Sequence, residues 1–461
     1  MNSTKVTLRI NQDEPGASAS SPSLLLSEEH AKKWNIPYRT PLTLSFGSAR
    51  QEITVEPSTE GSFLQIDAKL AAKWGAKHEQ LLSFVYKNSA KTIQLGPLIG
   101  VIVSRVNRNS SEMPFGTNTS FCYELSELCK SYGASIFFFT KEDVMSQSDS
   151  IKGWHYTDRW VRGRFPVPHI IYNRITSRRK ERLPGVQQFV RYAKKRHNAV
   201  FFNEKYLNKT EVFEALKKEA SLKPYLPESY PLRGSKMLKT MCSKYEVVFI
   251  KPINGSLGKG IVKVYRGGGP EQGYTSHVNN VTGIRAQTFS TLDKLYGSIA
   301  AKLKRSQHQI QRGLKLLSVN GRPIDFRALV QRGETGQWTI TSIVARIADN
   351  NQFVSNVARG GTISTVKAAL ARTGSSAAAG GLSKLRRVSL LIAKGIESQI
   401  PGHFAELGID LAIDTQGRVW LIEVNAKPSK EDSSPLDQSG KARPSVKKFV
   451  QYAYFASGFN G

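Results

Sequence analysis

The chain has 461 residues, 39% of them hydrophobic and 22% charged, a globular composition that excludes wholesale disorder and collagen-like structure and is long enough for about two to four domains. No apolar run approaches the ~18–20 residues that span a bilayer. The outlier is charge: 66 Lys and Arg against 36 Asp and Glu leave +30, a field that favours polyanionic partners without dictating a fold.

Residues 1–16 are polar and lack the apolar core of a signal peptide. Cys122, Cys129 and Cys242 form neither a disulfide framework nor a zinc pattern. A soluble protein of a reducing compartment is expected. The first 97 residues carry a repeat of period 40: Leu24–Ser27 and Ala31–Trp34 recur as Leu64–Asp67 and Ala71–Trp74. Ser27 and Asp67 are suitable N-caps for short helices ending near each Trp. Strand-like stretches follow at Leu42 and Leu82, then at Arg50–Val55 and Lys91–Leu95. A small pseudo-symmetric β-rich domain over 1–97, barrel-like, is predicted.

From Pro97 the texture changes. Leu98–Ser104 and Ala134–Phe139 are continuous apolar runs of the buried parallel-strand kind, separated by a helical Ser120–Tyr132. His169–Tyr172 and Val200–Asn203 add strands, so 98–205 reads as an α/β layer. Between them Arg174–His197 holds nine Lys or Arg and one acid. With Phe189 and Tyr192 interleaved, it is the best candidate for a nucleic-acid patch. Charge of this kind alone gives salt-sensitive binding without sequence preference, so a specific nucleic-acid role is not expected. Tyr172, Asn173 and Arg174 follow a strand end, where α/β layers place ligands, and are substrate candidates.

Residues 206–461 read as α+β. Helices are predicted at 209–220, 235–243, 291–305, 383–400 and 445–457. Strands are predicted at 247–251, 260–265, 309–313, 325–332, 338–347, 409–413 and 419–425, and residues 361–381 carry weak order signals. The last two strands form a hairpin about Gln416-Gly417. Folded there, Asp410 lies opposite Glu423, with Asn425 on the same face. Ile409, Leu411 and Ile413 then meet Val424, Ile422 and Trp420 on the other. Two close carboxylates repel unless a cation or proton lies between them, and oxygen donors of this kind suit Mg²⁺.

Strand 247–251 ends in Lys251 and runs into Asn254-Gly255-Ser256-Leu257-Gly258-Lys259-Gly260. Such glycines let backbone N–H groups converge on phosphate, which Lys251 and Lys259 would neutralise. The spacing is not that of a Walker loop, and the eight histidines show no metal-binding spacing. Arg327 and Arg346 lie inside strand-like segments and require anionic partners. Asp325, beside Arg327, is one alternative to phosphate.

These motifs occur in the order of the ATP-grasp superfamily: Lys209 in Asn-Lys-Thr, Lys251-Pro before the glycine loop, Asp325-Phe-Arg327, Asn356–Gly361 and Asp410–Asn425. The stretches Gly96–Ser104, Ile170–Ile175 and Gly321–Gln331 give the closer match, and nearly the whole chain resembles the YheC/YheD-type, endospore coat-associated ATP-grasp proteins of spore-forming bacteria. The resemblance implies a two-lobed ATP-grasp fold (lobes 206–308 and 309–461) preceded by an α/β pre-ATP-grasp layer and the β-rich domain.

It further implies that Lys209 and Lys251 contact ATP phosphates under a mobile Gly255–Gly260 loop (Gly255, Ser256, Gly258, Lys259, Gly260). Gln311, Arg312, Gly313 and Leu314 form the hinge beside adenine. Arg327, Arg346 and Arg359 neutralise phosphate or an acyl phosphate, and Asp410, Glu423 and Asn425 bind Mg²⁺. Asn356 joins the substrate candidates. The implied activity is ATP-dependent joining of an acidic substrate to an amine or thiol, in a sporulation role. A cytoplasmic mother-cell or forespore location is implied, or association with spore-coat components. The alternatives are a non-catalytic ATP-binding coat protein and incidental polyanion binding. Two departures stand out: the hinge carries Gln311-Arg312 where an acid is common, and Gly408 stands where related ligases often place an arginine.

Overall fold

The computed structural model describes residues 3–11, 23–110, 112–144, 149–255, 258–267, 273–280, 283–349, 360–429 and 442–459. Ser256, Asn356 and Arg359 lie outside these.

The first unit is a closed seven-stranded barrel of order β1-β5-β2-β4-β3-β7-β6. It comprises β1 (Thr4–Asn11), β2 (Ser23–Ser27), α1 (Glu28–Trp34), β3 (Leu42–Phe46), β4 (Ala49–Ser58), β5 (Phe63–Asp67), α2 (Ala68–Trp74), β6 (Gln80–Lys87) and β7 (Thr92–Gly96). The repeat governs local structure. Ser27 Oγ accepts from His30 N–H at 3.4 Å and Asp67 Oδ1 from Leu70 N–H at 2.6 Å. Both helices end at their Trp, followed by Asn35 or Gly75 in the left-handed region. Leu24 faces Leu64, its own repeat equivalent, across the antiparallel β2–β5 pair. A pseudo-two-fold axis therefore passes between them. The sequence reading missed β1, which pairs parallel with β5 just as β4 does with β2. The halves thus exchange strands.

The second sheet has order β11-β10-β9-β8-β12-β13. Its elements are β8 (Leu98–Val103), α3 (Thr119–Tyr132), β9 (Ser135–Phe139), β10 (Ser150–Tyr156), β11 (Trp160–Pro166), β12 (Ile170–Arg174), α4 (Arg178–Glu181), α5 (Pro184–His197) and β13 (Val200–Phe202). The four apolar runs pair in parallel. The antiparallel β10–β11 hairpin was not predicted, because Gly, Lys and Arg interrupt its hydrophobic pattern.

The third sheet runs β14-β19-β15-β16-β17-β18. It contains β14 (Ser229–Pro231), β15 (Val247–Pro252), β16 (Val262–Arg266), β17 (Tyr274–Asn280), β18 (Gly283–Phe289) and β19 (His308–Arg312), with α6 (Lys209–Leu216), α7 (Ser235–Lys244) and α8 (Leu292–Arg305). The β17–β18 hairpin was also unforeseen: the residues it buries in β17, Ser276 and Asn279, are polar, and β18 has no buried position, so there is no apolar alternation to read.

The fourth sheet, β23-β22-β21-β24-β25 with β20 beside β21, uses β20 (Ser318–Val319), β21 (Arg322–Arg332), β22 (Trp338–Ile347), β23 (Thr362–Thr365), β24 (Glu406–Ile413) and β25 (Val419–Asn425). Helices α9 (Val366–Ala371) and α10 (Gly381–Gln399) accompany it. α10 lays Leu385, Val388, Ile392 and Ile396 against Ile324, Phe326, Ala328, Ile409 and Leu411, and each large aliphatic side chain so buried contributes about 1.5–3 kcal/mol. Period-two alternation then leaves Asp325, Arg327 and Asp410 on the opposite face, toward the third sheet. The last helix, α11 (Pro444–Ala456), packs Val446, Phe449 and Val450 into the core of the second sheet.

Candidate active site

Between the third and fourth sheets lies a cavity of about 730 Å³. Its floor is a charge lattice built by register, of which Asp325, Arg346, Asp410 and Glu423 line the cavity and Arg327 does not. Asp325 pairs with Arg346 across β21–β22, Arg327 with Asp410 across β21–β24, and Asp410 with Glu423 across β24–β25. The side chains follow. Arg327 donates through Nε and Nη2 to both Asp410 oxygens, the second contact at 3.0 Å. Arg346 donates to Asp325 at 2.6 and 2.8 Å and reaches Asp410 at 3.2 Å. Burial pushes the Asp410 carboxyl up, but the two guanidinium groups outweigh it and hold it below the usual range.

The predicted opposition of Asp410 and Glu423 is present, but by a different route. The turn is one residue tighter: Ile413 pairs with Val419, and Gly417 donates to Asp414. Asp414 Oδ1 accepts from Gln416 and Arg418 N–H, each at 2.9 Å, and its Oδ2 from Trp420 Nε1 at 2.8 Å. A bulge at Ile422 then restores the register before Glu423. Leu411 accordingly faces Leu421 and Ala412 faces Trp420. Ile422, expected in the apolar layer, lines the cavity instead, a re-aiming that bulges commonly perform beside functional sites. Asn425 pairs with Gly408 and does not line the cavity.

From the other lobe come the lysines. Asn208 caps α6 by accepting from Glu211 N–H at 2.8 Å, which sets Lys209 at the first turn. Its ammonium donates to Gly255 O at 2.9 Å and Glu423 at 3.0 Å. Lys251 donates to Gln311 Oε1 at 2.5 Å. Burial, with Lys209 adding and Glu423 opposing, pushes the Lys251 ammonium down to about 8. Gly258 lines the cavity, whereas Lys259 is exposed and does not.

The crossing segment Gln311–Leu314 lines the cavity as a strip. Gln311 is buried, and Gly313 donates to Val247 O at 2.7 Å, where a Cβ would meet Val247 at 2.7 Å. The Arg312 guanidinium sits 5.2 Å from the Tyr245 ring and 5.0 Å from Trp420, so one cation joins both lobes. At Gly408, a Cβ would press on Pro428 at 2.9 Å and on Arg327 Nη1 at 3.4 Å. The space is filled by Arg327, reaching over from β21.

The substrate candidates Tyr172 and Asn173 are spent internally. Tyr172 is fully buried, its hydroxyl donating to Glu406, and Asn173 donates to Glu181 at 2.8 Å. Arg174 donates to Pro428 O at 3.1 Å and lies 3.6 Å from Glu406. None of the three lines the cavity. Phe189, expected on the basic face, is core. Sequence reasoning missed Arg178, which donates to Leu207 O at 2.7 Å and whose guanidinium is pushed down by burial against the opposing Tyr206 and Glu423, and Lys427, held by Glu181 at 2.5 Å. It also missed Ile422 and Tyr245. Only Arg178 left a signal, as a member of the basic run.

A family model described as "YheC/D like ATP-grasp" matches residues 198–455. The chain belongs to this YheC/D-like ATP-grasp family. It is 28% identical over 348 residues to the endospore coat-associated protein YheD of Bacillus subtilis, covering 74% of each chain. With YheC of the same organism it shares 21% over 319 residues, 67% of this chain and 84% of that one. Among solved structures it is similar to the ATP-grasp ligase PsnB with a minimal precursor (10% identical, 78% of this chain and 99% of that one, TM-score 0.43). It is also similar to D-alanyl-alanine synthetase A from Vibrio cholerae (12%, 79% and 99%, TM-score 0.45). Among the described residues no helix is long and apolar enough to cross a membrane.

Proposed function

We propose that this ATP-grasp protein is an ATP- and Mg²⁺-dependent ligase that activates a carboxylate as an acyl phosphate for attack by an amine or thiol. One observation carries the reading: Lys209, Lys251 and Arg346 converge with the opposed Asp410 and Glu423 in one interlobe cavity. In the first step a substrate carboxylate oxygen attacks the γ-phosphorus and ADP leaves. In the second the nucleophile attacks the acyl carbon and phosphate leaves. Phosphoryl transfer asks the protein for position and charge neutralisation rather than a covalent nucleophile. Lys209 and Lys251 take the phosphate side, Gln311–Leu314 the base, and Arg346 and Arg359 the developing charge, with Arg327 holding Asp410 in place.

Asp410 and Glu423 bring two carboxylates to the cavity, hard oxygen donors that fit Mg²⁺, and Asn425, two residues beyond Glu423 and off the lining, would add an amide oxygen only by turning toward them. When bound, the ion would neutralise phosphate oxygens. The names of the YheD and YheC relatives support a role in sporulation at the spore coat.

A second reading is a non-catalytic nucleotide-binding coat protein. Its support is that Asp410 is already neutralised by two arginines and Glu423 by Lys209. A Mg²⁺–ATP turnover screen across amino acids, peptides and peptidoglycan precursors separates the two. The ligase reading expects acid-dependent ADP release that falls roughly 100-fold in Asp410→Ala and Glu423→Ala. Nucleotide binding without turnover for any acid favours the second. Turnover unaltered in both variants would refute the metal assignment.

A further inference from the structure

A second cavity, of about 720 Å³, lies far from the interlobe cleft, where the barrel docks on the second sheet. The β3–β4 turn makes the joint: Ser48 N–H donates to Val167 O at 2.8 Å, and Ser48 Oγ accepts from Val167 N–H at 3.0 Å. Helix α2 completes it, Gly75 fitting where a Cβ would strike the Phe165 ring at 2.2 Å. Into the groove so formed come Arg50 and Lys73 from the barrel, Arg164 from β11, and Arg196 and His197 from the end of α5. The acid in the lining is Asp149, which accepts from Tyr192 at 2.6 Å and lies 3.0 Å from His197. Among the described residues Lys73 and Arg164 make no ion pair. Each is exposed. Four separate elements (β4, α2, β11 and α5) thus bring their positive charge to one concavity, a focusing arrangement for anions.

The rest of the lining narrows the occupant. Gln51 and Asn198 supply carboxamides, and Leu70 and Pro166 an apolar wall. The two aromatic rings are turned away from a ligand: Trp74 is 2% exposed and packs on Phe46, and His197 packs on Tyr192. Bases of a single-stranded nucleic acid would find no stacking face. A polypeptide finds amides for its backbone, arginine forks for its carboxylates and apolar surface for its side-chain stems.

We propose that this groove is a docking site for an acidic peptide segment. It lies outside the interlobe cleft and acts independently of nucleotide. The exposed Arg191 and Lys195 on α5 extend its positive surface along the helix. This assigns a partner to part of the basic Arg174–His197 segment.

The test uses the full chain without ATP and a fluorescein-labelled octaglutamate peptide, read by anisotropy at low and moderate salt. Lys73→Glu with Arg164→Glu reverses two groove charges. Arg386→Glu with Arg387→Glu, on the exposed face of α10, is the control of equal charge. The groove variant is expected to weaken the peptide about tenfold or more, and the control less than about threefold. The milder Lys73→Gln with Arg164→Gln, with an unchanged thermal unfolding curve, is expected to lose affinity in the same direction. Equal loss in groove and control variants would assign the binding to bulk charge and overturn the proposal. So would absence of peptide binding, or tighter groove-dependent binding of polyphosphate or oligo-dT than of the peptide. Because no nucleotide is present, none of these outcomes depends on ligase activity.

Discussion

Asp410→Asn keeps the side chain's shape and removes its charge. In the structure both Asp410 oxygens are engaged by Arg327, and one also by Arg346. All three residues are nearly buried. Breaking a buried pair by deleting one partner costs about 3–5 kcal/mol, because the other charge is left without compensation. The lower end applies, since Arg346 keeps its two-pronged contact with Asp325 and Arg327 alone is stranded. At 1.36 kcal/mol per factor of ten, about 3 kcal/mol makes β21 and β24 amides exchange roughly 150-fold faster with deuterium, with barrel amides as the internal reference. The double variant Arg327→Met, Asp410→Leu removes both charges and fills the space, so most of the protection is expected to return. If Asp410→Asn alone changed exchange less than about fivefold, the ion pair would not be what holds Asp410. The carboxylate would then be free in the ligand-free protein.

Two further outcomes follow from the same geometry. Lys251 is held down to about 8, and phosphate favours its protonated form. ATP affinity should be fully present below pH 8 and fall up to about tenfold per unit above it, as binding must take up a proton. Titration by calorimetry should show this inflection vanish in Lys251→Arg, and an unchanged slope in that variant would defeat the assignment. Tyr172→Phe removes a buried hydroxyl from Glu406 at a cost of about 1.5–3 kcal/mol. It should lower the unfolding temperature while leaving the KM for the acid substrate alone. A raised KM would return Tyr172 to the substrate site.

The polar lattice explains why a basic sequence could be read in part. Arg327 and Arg346 announced themselves, because arginines in apolar strands demand anions. Phosphate and carboxylate were both open, and the fold supplies Asp410 and Asp325. Tyr172 and Asn173 misled because a strand end in an α/β layer is a common ligand position. Here α11 and the fourth sheet pack over it instead, and Glu406 and Glu181 arrive from 234 and 8 residues away to consume both side chains. The closure from Glu406 leaves no mark in local sequence.

By itself the sequence determined what depends on period and chemistry. The 40-residue repeat fixed two capped helices, because a cap needs only its own next three residues. Continuous apolar runs specified four parallel strands, and alternation around Asp410 specified a hairpin with one polar face. What only tertiary structure decided was register and neighbourhood. The hairpin reached the predicted Asp410–Glu423 pairing through a tighter turn and an offsetting bulge at Ile422, each worth one residue. Both are invisible to counting because they cancel. The strand exchange in the barrel, the Tyr245–Arg312–Trp420 contact across the lobes and the groove behind α2 arise between segments remote in sequence. Their energies depend on docking, which no single stretch of chain encodes.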